Sequence, residues 1–444
     1  LKEGKMHREE IRKIIKEEGI KFIQLWFTDL EGSLKSVSIP ASRWDDVLTW
    51  GASFDGSSIR GFARIEESDM FLYPDLSTFV ILPVESSVGK IARVFCDVKT
   101  PDGNYYEDSP RWILREALKD AEKEGFTYYV GPELEFFYFK SHKGTEFLDF
   151  KGYFDYIPPD TGEALLRETV ELLASMGIEV EYIHHEVSPS QYEIDLKYSD
   201  ALTMADALVT AKFIVKYVAE KNGYYATFMP KPVEGINGSG LHLHQSLFRG
   251  KENTFFDESD PYHLSEMGRG FLAGLLRHSR EITLVTNQWI NSYKRLVPGY
   301  EAPVYICWGR YNRSPLVRIP AIPLEKKSSM RVEYRSPDPA CNPYLVFAVL
   351  LTAGLEGIKK KYDLPSAMEE NVYHFTSEER KEKGIESLPG SLIEAIMEAE
   401  KGTIARKVLG DSAFEKLIAS KKAQWDEYRT KVTKYEIEKY FPVL

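Results

Sequence analysis

Gly131-Pro-Glu-Leu-Glu-Phe-Phe-Tyr-Phe139 carries two carboxylates, Glu133 and Glu135, in an otherwise strongly apolar run. Alternate side chains of a strand share a face, so this stretch predicts Glu133, Glu135, Phe137 and Phe139 on one side and Leu134, Phe136 and Tyr138 on the other. Two carboxylates about 6.6 Å apart on one face repel each other unless a cation sits between or beside them. Solvation at the water-facing end of a strand is the plainer alternative, and the rest of the chain has to decide between the two.

Composition narrows the class. The 444 residues are 43% hydrophobic and 13% aromatic, enough for large cores and in the range of two or three domains. Against 57 basic residues stand 68 acidic ones, a formal charge of -11. Both signs are mixed along the chain, which argues against nucleic acid as a partner and favours acidic sites for cations. Cys96, Cys307 and Cys341 lie far apart with no metal-like spacing, so neither a disulfide framework nor a thiolate zinc site is expected, and the setting reads as reducing and cytoplasmic. The N-terminus is charged from Lys2 onward, and the longest apolar run, Tyr344 to Ala353, is too short to span a bilayer. A soluble protein with no membrane partner is expected.

Outward from the opening stretch toward the N-terminus, His7 to Glu18 sets Ile11, Ile14 and Ile15 on one helical face, with Gly19 as a stop. Ile23, Leu25 and Phe27 alternate with Gln24, Trp26 and Thr28; Asp29-Leu-Glu-Gly32 turns; Lys35, Val37 and Ile39 then alternate with Ser36 and Ser38, which makes a hairpin. Strands from Thr78 to Pro83 and from Ile91 to Asp97 complete a small α+β domain ending at the turn-rich Pro101-Asp-Gly-Asn104. Within it, Phe54-Asp-Gly-Ser-Ser-Ile59 and Arg64-Ile-Glu-Glu-Ser-Asp69 read as a polar loop, either solvated or reaching into a neighbouring subunit's site. Toward the C-terminus, Ser109-Pro opens a helix to about Gly125, and Asp160-Thr-Gly-Glu163 reads as a capping box for a helix ending at Gly177. Helices from about Asp200 to Asn222 and through Met267, Phe271, Leu275, His278 and Ile282 follow. Large helices against strands, without internal repeats, make the class α+β.

Three further stretches repeat the opening anomaly. Gln191, Glu193 and Asp195 share a face opposite Tyr192, Ile194 and Leu196; His242 and His244 oppose Leu241 and Leu243; Arg331, Glu333 and Arg335 oppose Val332 and Tyr334. An antiparallel sheet with one wet face alternates in this way, but its wet face is normally rich in Lys, Thr and Ser rather than Glu, His and Arg. Glu133, Glu135, Glu186, Glu193, Glu333 and His242 form an oxygen-rich donor set that favours Mg²⁺ or Mn²⁺ over zinc and suits two or more ions. Divalent ions beside Arg313, Arg318, Arg331 and Arg335 are suited to phosphoryl transfer. No Walker-type run is present, so the nucleotide site is of another kind. Gly235-Ile-Asn-Gly-Ser-Gly240 either lets a ligand approach the backbone or is a tight turn. Asn291 to Pro303, with Glu301 among Pro and Gly breakers, is either a flap or a plain surface loop.

At these residues the sequence resembles the glutamine synthetases of type I, and more closely their alpha branch. The match runs through Phe-Asp-Gly-Ser-Ser at Phe54, Ile-Glu-Glu-Ser-Asp-Met at Ile65, Gly-Pro-Glu-Leu-Glu-Phe-Phe at Gly131, His-His-Glu-Val at His184, Asn-Gly-Ser-Gly-Leu-His at Asn237, Lys-Arg-Leu-Val-Pro-Gly-Tyr-Glu-Ala-Pro at Lys294 and Asn-Arg-Ser-Pro-Leu at Asn312. The resemblance implies an N-terminal β-grasp domain, residues 1–104, and a catalytic domain with a curved antiparallel sheet flanked by helices, residues 105–444. It also implies a homo-oligomer, a dodecamer of two hexameric rings with sites between adjacent subunits, and leaves room for small regulatory proteins. By motif position, two or three Mg²⁺ or Mn²⁺ ions per site would include one held by Glu135, Glu186 and Glu193 and one held by Glu133, His242 and Glu333. Glutamate would lie against Asn237, Gly238, Arg295 and Arg335, under the Glu301 flap. ATP, the co-substrate, would meet Glu181, Tyr198, His244, Ser246 and Arg331, and Arg313 and Arg318 would clamp the phosphoryl group. Asp55 of a neighbouring subunit would deprotonate ammonium, with Tyr153, Ser58, Glu186 and Glu301 lining that site.

The activity so implied is ATP-dependent ligation of ammonia to the γ-carboxylate of L-glutamate through γ-glutamyl phosphate. A γ-glutamyl ligase for another amine and a catalytically silent assembly of the same fold are the alternatives. Arg64 matches a position tied to feedback inhibition by glutamine. Tyr373 falls where another branch is adenylylated, but the residues after it depart from that branch's pattern, so no adenylylation is expected.

Overall fold

The computed structural model describes residues 7–59, 69–158, 160–312 and 314–444, and leaves the side chains of Ser58 and Leu324 undescribed. Arg64 and Arg313 therefore lie outside the described residues, as does the Ser58 side chain.

The N-terminal hairpin forms as its alternation requires, Phe22–Thr28 pairing antiparallel with Leu34–Pro40. Phe22–Thr28 also pairs in parallel with Ile91–Lys99, which sets these two strands at the centre of a six-stranded sheet. Asp69–Pro74, Ala52–Asp55 and Val80–Ile81 complete it. Ile23, Leu25 and Phe27 face a core that includes Ile11 of the helix Arg8–Glu17. Trp26, on the opposite face, packs edge-on against Phe213, 5.0 Å between ring centroids, on the helix Ala201–Lys221 of the larger domain. Of the stretch expected as a polar loop, residues 60–68 lie outside the described residues, while Phe54 and Asp55 end one strand, Asp69 begins another, and the two strands pair. Their alternation is too short, and too polar at the ends, to signal a strand by itself.

Two buried charge clusters join the domains. Arg111, on the helix Pro110–Lys123, donates to Asp206 at 3.0 and 2.9 Å, to Asp97 at 2.8 Å and to Asp75 at 2.9 Å. Glu31, at the hairpin tip, accepts from Lys421 at 2.9 Å, Ser420 at 2.8 Å and Gln424 at 2.8 Å. Burial alone would raise the Asp75 carboxyl, but Arg111, Ser77 and Arg115 hold it at about 2. A depressed carboxylate stabilises fully above its unfolded titration range, and that contribution disappears as pH falls through the folded value. It is worth roughly 2 kcal/mol. Asp75→Asn should therefore lower the melting temperature at pH 7, and the gap to the parent should close as pH falls below about 5. A gap independent of pH would contradict this account.

The larger domain is built on a ten-stranded sheet in the order Tyr305–Gly309, Pro315–Arg318, Val332–Tyr334, Leu241–Arg249, Thr127–Phe139, Gln191–Leu196, Val180–His185, with Ser199–Asp200, Tyr225–Thr227 and Glu252–Asn253 at its margins. The expected antiparallel pattern holds except between Tyr305–Gly309 and Pro315–Arg318, which run parallel, so the sheet is mixed. The architecture is α+β, a β-grasp domain followed by a catalytic-type domain. The helices Pro110–Lys123, Ala201–Lys221, Glu266–Thr286 and Pro343–Lys360 belong to its core. Apart from Thr352, the apolar run Tyr344 to Ala353 is buried within Pro343–Lys360, and no described helix is long and apolar enough to cross a membrane. Only half of the expected capping box forms: Asp160 accepts from the Glu163 N–H at 2.9 Å, while the Glu163 side chain turns to Arg167, 3.0 Å away.

Candidate active site

Strand register turns four separate anomalies into one surface. Thr127–Phe139 is flanked on one side by Leu241–Arg249, which sets His242 opposite Glu133, and on the other by Gln191–Leu196, which sets Asp195 opposite Glu133 and Glu193 opposite Glu135. One strand further out on each side, Glu333 faces both His244 and Arg318, and His184 faces Glu193. Like charges directly opposite each other destabilise a sheet, and here two such pairs lie side by side.

The protein's own donors compensate only part of this charge. Glu133 lies 2.8 Å from His242 Nδ1 and 2.6 Å from His244 Nε2, and burial notwithstanding, His244 and His242 hold its carboxyl well below the usual range. Arg331 Nε donates to His244 Nδ1 at 3.1 Å, which assigns the His244 proton to Nε2. Glu333, fully buried, accepts from Arg318 at 2.5 Å and from Arg335; burial opposes ionisation, but Arg335, His244 and Arg318 hold it at about 2. The opposite side of the site is acid-rich. Burial, then Glu135 and Glu301, pushes Glu186 up to about 8; burial, then Glu133, pushes Asp195 up to about 7; burial and the surrounding carboxylates carry Glu193 well above the usual range.

This donor set fits hard divalent cations. Three groups offer ligand atoms within 4.8 Å of one another: Glu133, Glu193 and His242; Glu133, His244 and Glu333; His184, Glu193 and Asp195. A Cβ at Gly240 would stand 3.2 Å from Glu135 Oε1, 3.1 Å from His242 Nε2 and 2.6 Å from Arg295 Nη2, so the glycine keeps the space among them open. The groupings differ from the two trios expected from the motifs. Glu135 Oε2 accepts from Gln191 at 2.9 Å and Gly240 N–H at 2.8 Å, Glu186 from Val187 N–H at 3.0 Å, and Glu333 from two arginines. Carboxylates whose folded titration is raised make the protein less stable as pH rises between the unfolded carboxylate range and about 7–8. The metal-free protein should therefore lose melting temperature from pH 5 to pH 8, and Mg²⁺ added at pH 7 should restore it while releasing protons. Calorimetry in buffers of different ionisation enthalpy measures that release; none would contradict the assignment of these carboxyls to a cation.

Two cavities meet at the wall formed by Glu133, Tyr182 and Asp195. The first, about 1070 Å³, is lined by Glu135, Glu186, Glu193, His242 and Glu333, and also by Tyr153, Asn237, Gly238, Arg295, Glu301, Arg318 and Arg335. The second, about 660 Å³, is lined by Glu181, Tyr198, His244, Ser246 and Arg331. Asp55 lines neither; on the small domain's edge strand, it accepts from Ser57 N–H at 2.9 Å and Ser57 Oγ at 2.6 Å. Glu301 has a positive φ of 57° and accepts from Asn237 Nδ2 at 3.1 Å, and with Arg295, Tyr300 and Ala302 of the same stretch it lines the first cavity. A Cβ on Gly238 would run into the Pro230 carbonyl, so this residue packs closely at the cavity wall, whereas Gly235 has open space around it. Sequence reasoning left out His184 and Asp195 as ligands, although the first lies in the quoted His-His-Glu-Val and the second on the face already seen to be ionisable. It also left out Gln191, whose signal was only its place on that face.

The family described as "Glutamine synthetase, beta-Grasp domain" matches residues 19–101, and "Glutamine synthetase, catalytic domain" matches residues 107–440. A glutamine synthetase of Thermotoga maritima is 50% identical over 440 residues, covering 97% of this chain and 99% of that protein. One of Methanosarcina mazei is 48% identical over 441 residues, covering 98% of each. Among solved structures, a Plasmodium falciparum glutamine synthetase superposes with a TM-score of 0.87 at 28% identity, covering 98% of each chain. A GmaS/ADP complex superposes with a TM-score of 0.86 at 31% identity, covering 97% of this chain and 99% of that one.

Proposed function

The chain belongs to the glutamine synthetase family and is an ATP-dependent ligase of glutamine biosynthesis and nitrogen assimilation; from that premise we propose how its residues divide the work. The family uses ATP and divalent metals, and the reading that Glu133 separates a nucleotide cavity from a glutamate and ammonium cavity is supported by its place in the wall common to both. ATP enters the cavity of Glu181, Tyr198, His244, Ser246 and Arg331. Glutamate lies against Asn237, Gly238, Arg295 and Arg335. Of two or three Mg²⁺ or Mn²⁺ ions per site, Glu135, Glu186 and Glu193 would hold one and Glu133, His242 and Glu333 another, with His184 and Asp195 beside them. When bound, these ions supply neutralisation of phosphate charge.

A carboxylate is a poor acyl donor because its leaving group would be oxide. An oxygen of the glutamate γ-carboxylate therefore bonds to the γ-phosphorus of ATP as the bond to ADP breaks, and Arg318 with Arg313 holds the transferred group. Asp55 of an adjacent copy takes a proton from ammonium in a site lined by Tyr153, Ser58, Glu186 and Glu301. The ammonia lone pair then attacks the acyl carbon, the bond to phosphate breaks, and the departing phosphate carries away the further proton that the nitrogen loses in becoming an amide. Glu301 closes the cavity, because an acyl phosphate that meets water is hydrolysed.

The finer assignments are of the same kind. The chain is placed in the type I alpha branch, with a β-grasp domain over residues 1–104 and a catalytic domain over 105–444. Its homo-oligomer is a cytoplasmic dodecamer of two hexameric rings, open to small regulatory proteins. Glutamine inhibits it through Arg64, so Arg64→Ala should remain active when glutamine accumulates; inhibition equal to the parent's would reject that role. Tyr373 is not adenylylated: its hydroxyl is engaged with the Ala302 carbonyl at 2.8 Å and is pushed up to about 12, chiefly by burial.

ATP hydrolysis with glutamate and Mg²⁺ tests the assignment when it is measured with ammonium, with larger amines and with neither. Dependence on ammonium is expected. Turnover with larger amines instead would make the chain a γ-glutamyl ligase for another amine, and no turnover with any amine would make it a silent assembly.

A further inference from the structure

Gln191 opens the strand Gln191–Leu196, is 1% exposed, and has both ends of its side-chain amide engaged. Its Nε2 donates to Glu135 Oε2 at 2.9 Å and to the Gly238 carbonyl at 3.1 Å, and its Oε1 accepts from the Ser188 N–H at 3.3 Å. Gly240 N–H is the second donor to Glu135 Oε2, at 2.8 Å. Two donors thus turn Oε2 into the protein and leave Oε1 toward the cavity, 3.7 Å from His242 Nε2.

The turn Ser188 to Gln191 also grips the preceding peptide, because Ser188 Oγ donates to the Asn237 carbonyl at 3.2 Å. The turn is itself held firmly. Gln191 N–H donates to the Ser188 carbonyl at 3.1 Å, and Glu186 N–H donates to the Gln191 carbonyl at 2.8 Å. Ser190 sits at a φ of 59°, a region that residues other than glycine seldom occupy. Its hydroxyl accepts from Leu148 N–H at 2.6 Å and Asp149 N–H at 3.1 Å, and its own N–H donates to Asp149 Oδ1 at 3.1 Å.

We propose that Gln191 is a positioning residue that links the cation site to the glutamate loop. One amide aims the open oxygen of Glu135 at the cation and holds the Gly238 peptide where glutamate binds. The inference rests on the reading of Glu135 as a cation ligand and of Asn237 and Gly238 as glutamate contacts. The chemistry is demanding. A glutamate at position 191 has no N–H to donate and sets a charge against Glu135; a methionine fills the volume and donates nothing. Residues behind a ligand fix its orientation, and their loss typically weakens metal binding by roughly 10- to 100-fold. Since the one amide serves both sites, cation and glutamate each strengthen the binding of the other, and that coupling is reciprocal.

Titration of the intact enzyme with Mn²⁺, followed by the electron paramagnetic resonance signal of the free ion with and without L-glutamate, tests this in the parent, Gln191→Met, Gln191→Glu and Ser188→Ala. In the parent, glutamate should tighten Mn²⁺ binding. Either Gln191 variant should weaken Mn²⁺ by roughly 10- to 100-fold and abolish the effect of glutamate. Ser188→Ala should keep the Mn²⁺ affinity of the parent and raise KM for glutamate more than it lowers kcat. The proposal is overturned if Gln191→Met binds Mn²⁺ as the parent does and still responds to glutamate. It is also overturned if the Gln191 variants fail to fold and Ser188→Ala leaves KM unchanged. A parent whose Mn²⁺ binding is indifferent to Glu135→Gln would instead remove the site assignment on which the linkage stands.

Discussion

Glu333→Ala is expected to destabilise the folded chain by about 3–5 kcal/mol and to abolish turnover. Glu333 is fully buried and balances Arg318, 2.5 Å away, and Arg335 on the other oxygen. Two guanidinium groups, one of them buried, share this single carboxylate, so its removal takes from the buried Arg335 the carboxylate it is paired with. Breaking a buried pair costs far more than the pair contributes relative to an apolar replacement, because the surviving charge stays desolvated. Glu333 also faces His244 across the sheet, so the nucleotide-side wall shifts with it. Thermal unfolding followed by circular dichroism, run beside a turnover assay, measures both effects. A melting temperature within a degree or two of the parent's would show that the arginines find other partners and that the balance described here is not what holds them.

The second large effect separates two neighbours on one strand. Glu133 lines both cavities and touches His242 and His244, whereas Glu135 lines only the first and is tied to Gln191 and Gly240. Glu133→Gln should raise KM for ATP by at least about 100-fold, since loss of a direct ligand exceeds the 10- to 100-fold cost of losing a residue behind one. Glu135→Gln should instead raise KM for glutamate, with ATP affected much less. Steady-state kinetics with each substrate varied in turn distinguishes the two. Equal defects for both substrates in both variants would end the division of labour proposed for this strand.

These outcomes depend on features that were unequally visible in the chain. Period-two alternation located Thr127–Phe139, Gln191–Leu196, Leu241–Arg249 and Val332–Tyr334, because each sets apolar residues on one face and acids, histidines or arginines on the other. The hairpin was legible for the same reason, and the first helices through apolar residues recurring on one helical face and through their end signals. The short paired strands Ala52–Asp55 and Asp69–Pro74 were not, and neither was the C-terminal helix Ile404–Arg429. Ile404–Arg429 has a non-helical break at Gly410 and lacks a single clean apolar stripe.

The two glutamates of Gly131 to Phe139 show where the division falls. The amino-acid sequence by itself determined that they share a face of a strand, that the face is too acidic to be left without compensation, and that three other strands carry the same burden, because side-chain alternation is a local consequence of backbone geometry. Only the tertiary structure decided which charges meet: Glu133 with His242, His244 and Asp195, Glu135 with Glu193, Gln191 and Gly240. Strand order and register join residues more than a hundred positions apart, as with Glu133 and His242. A shift of register by a single residue would turn one set away from the other, and no local pattern encodes that choice.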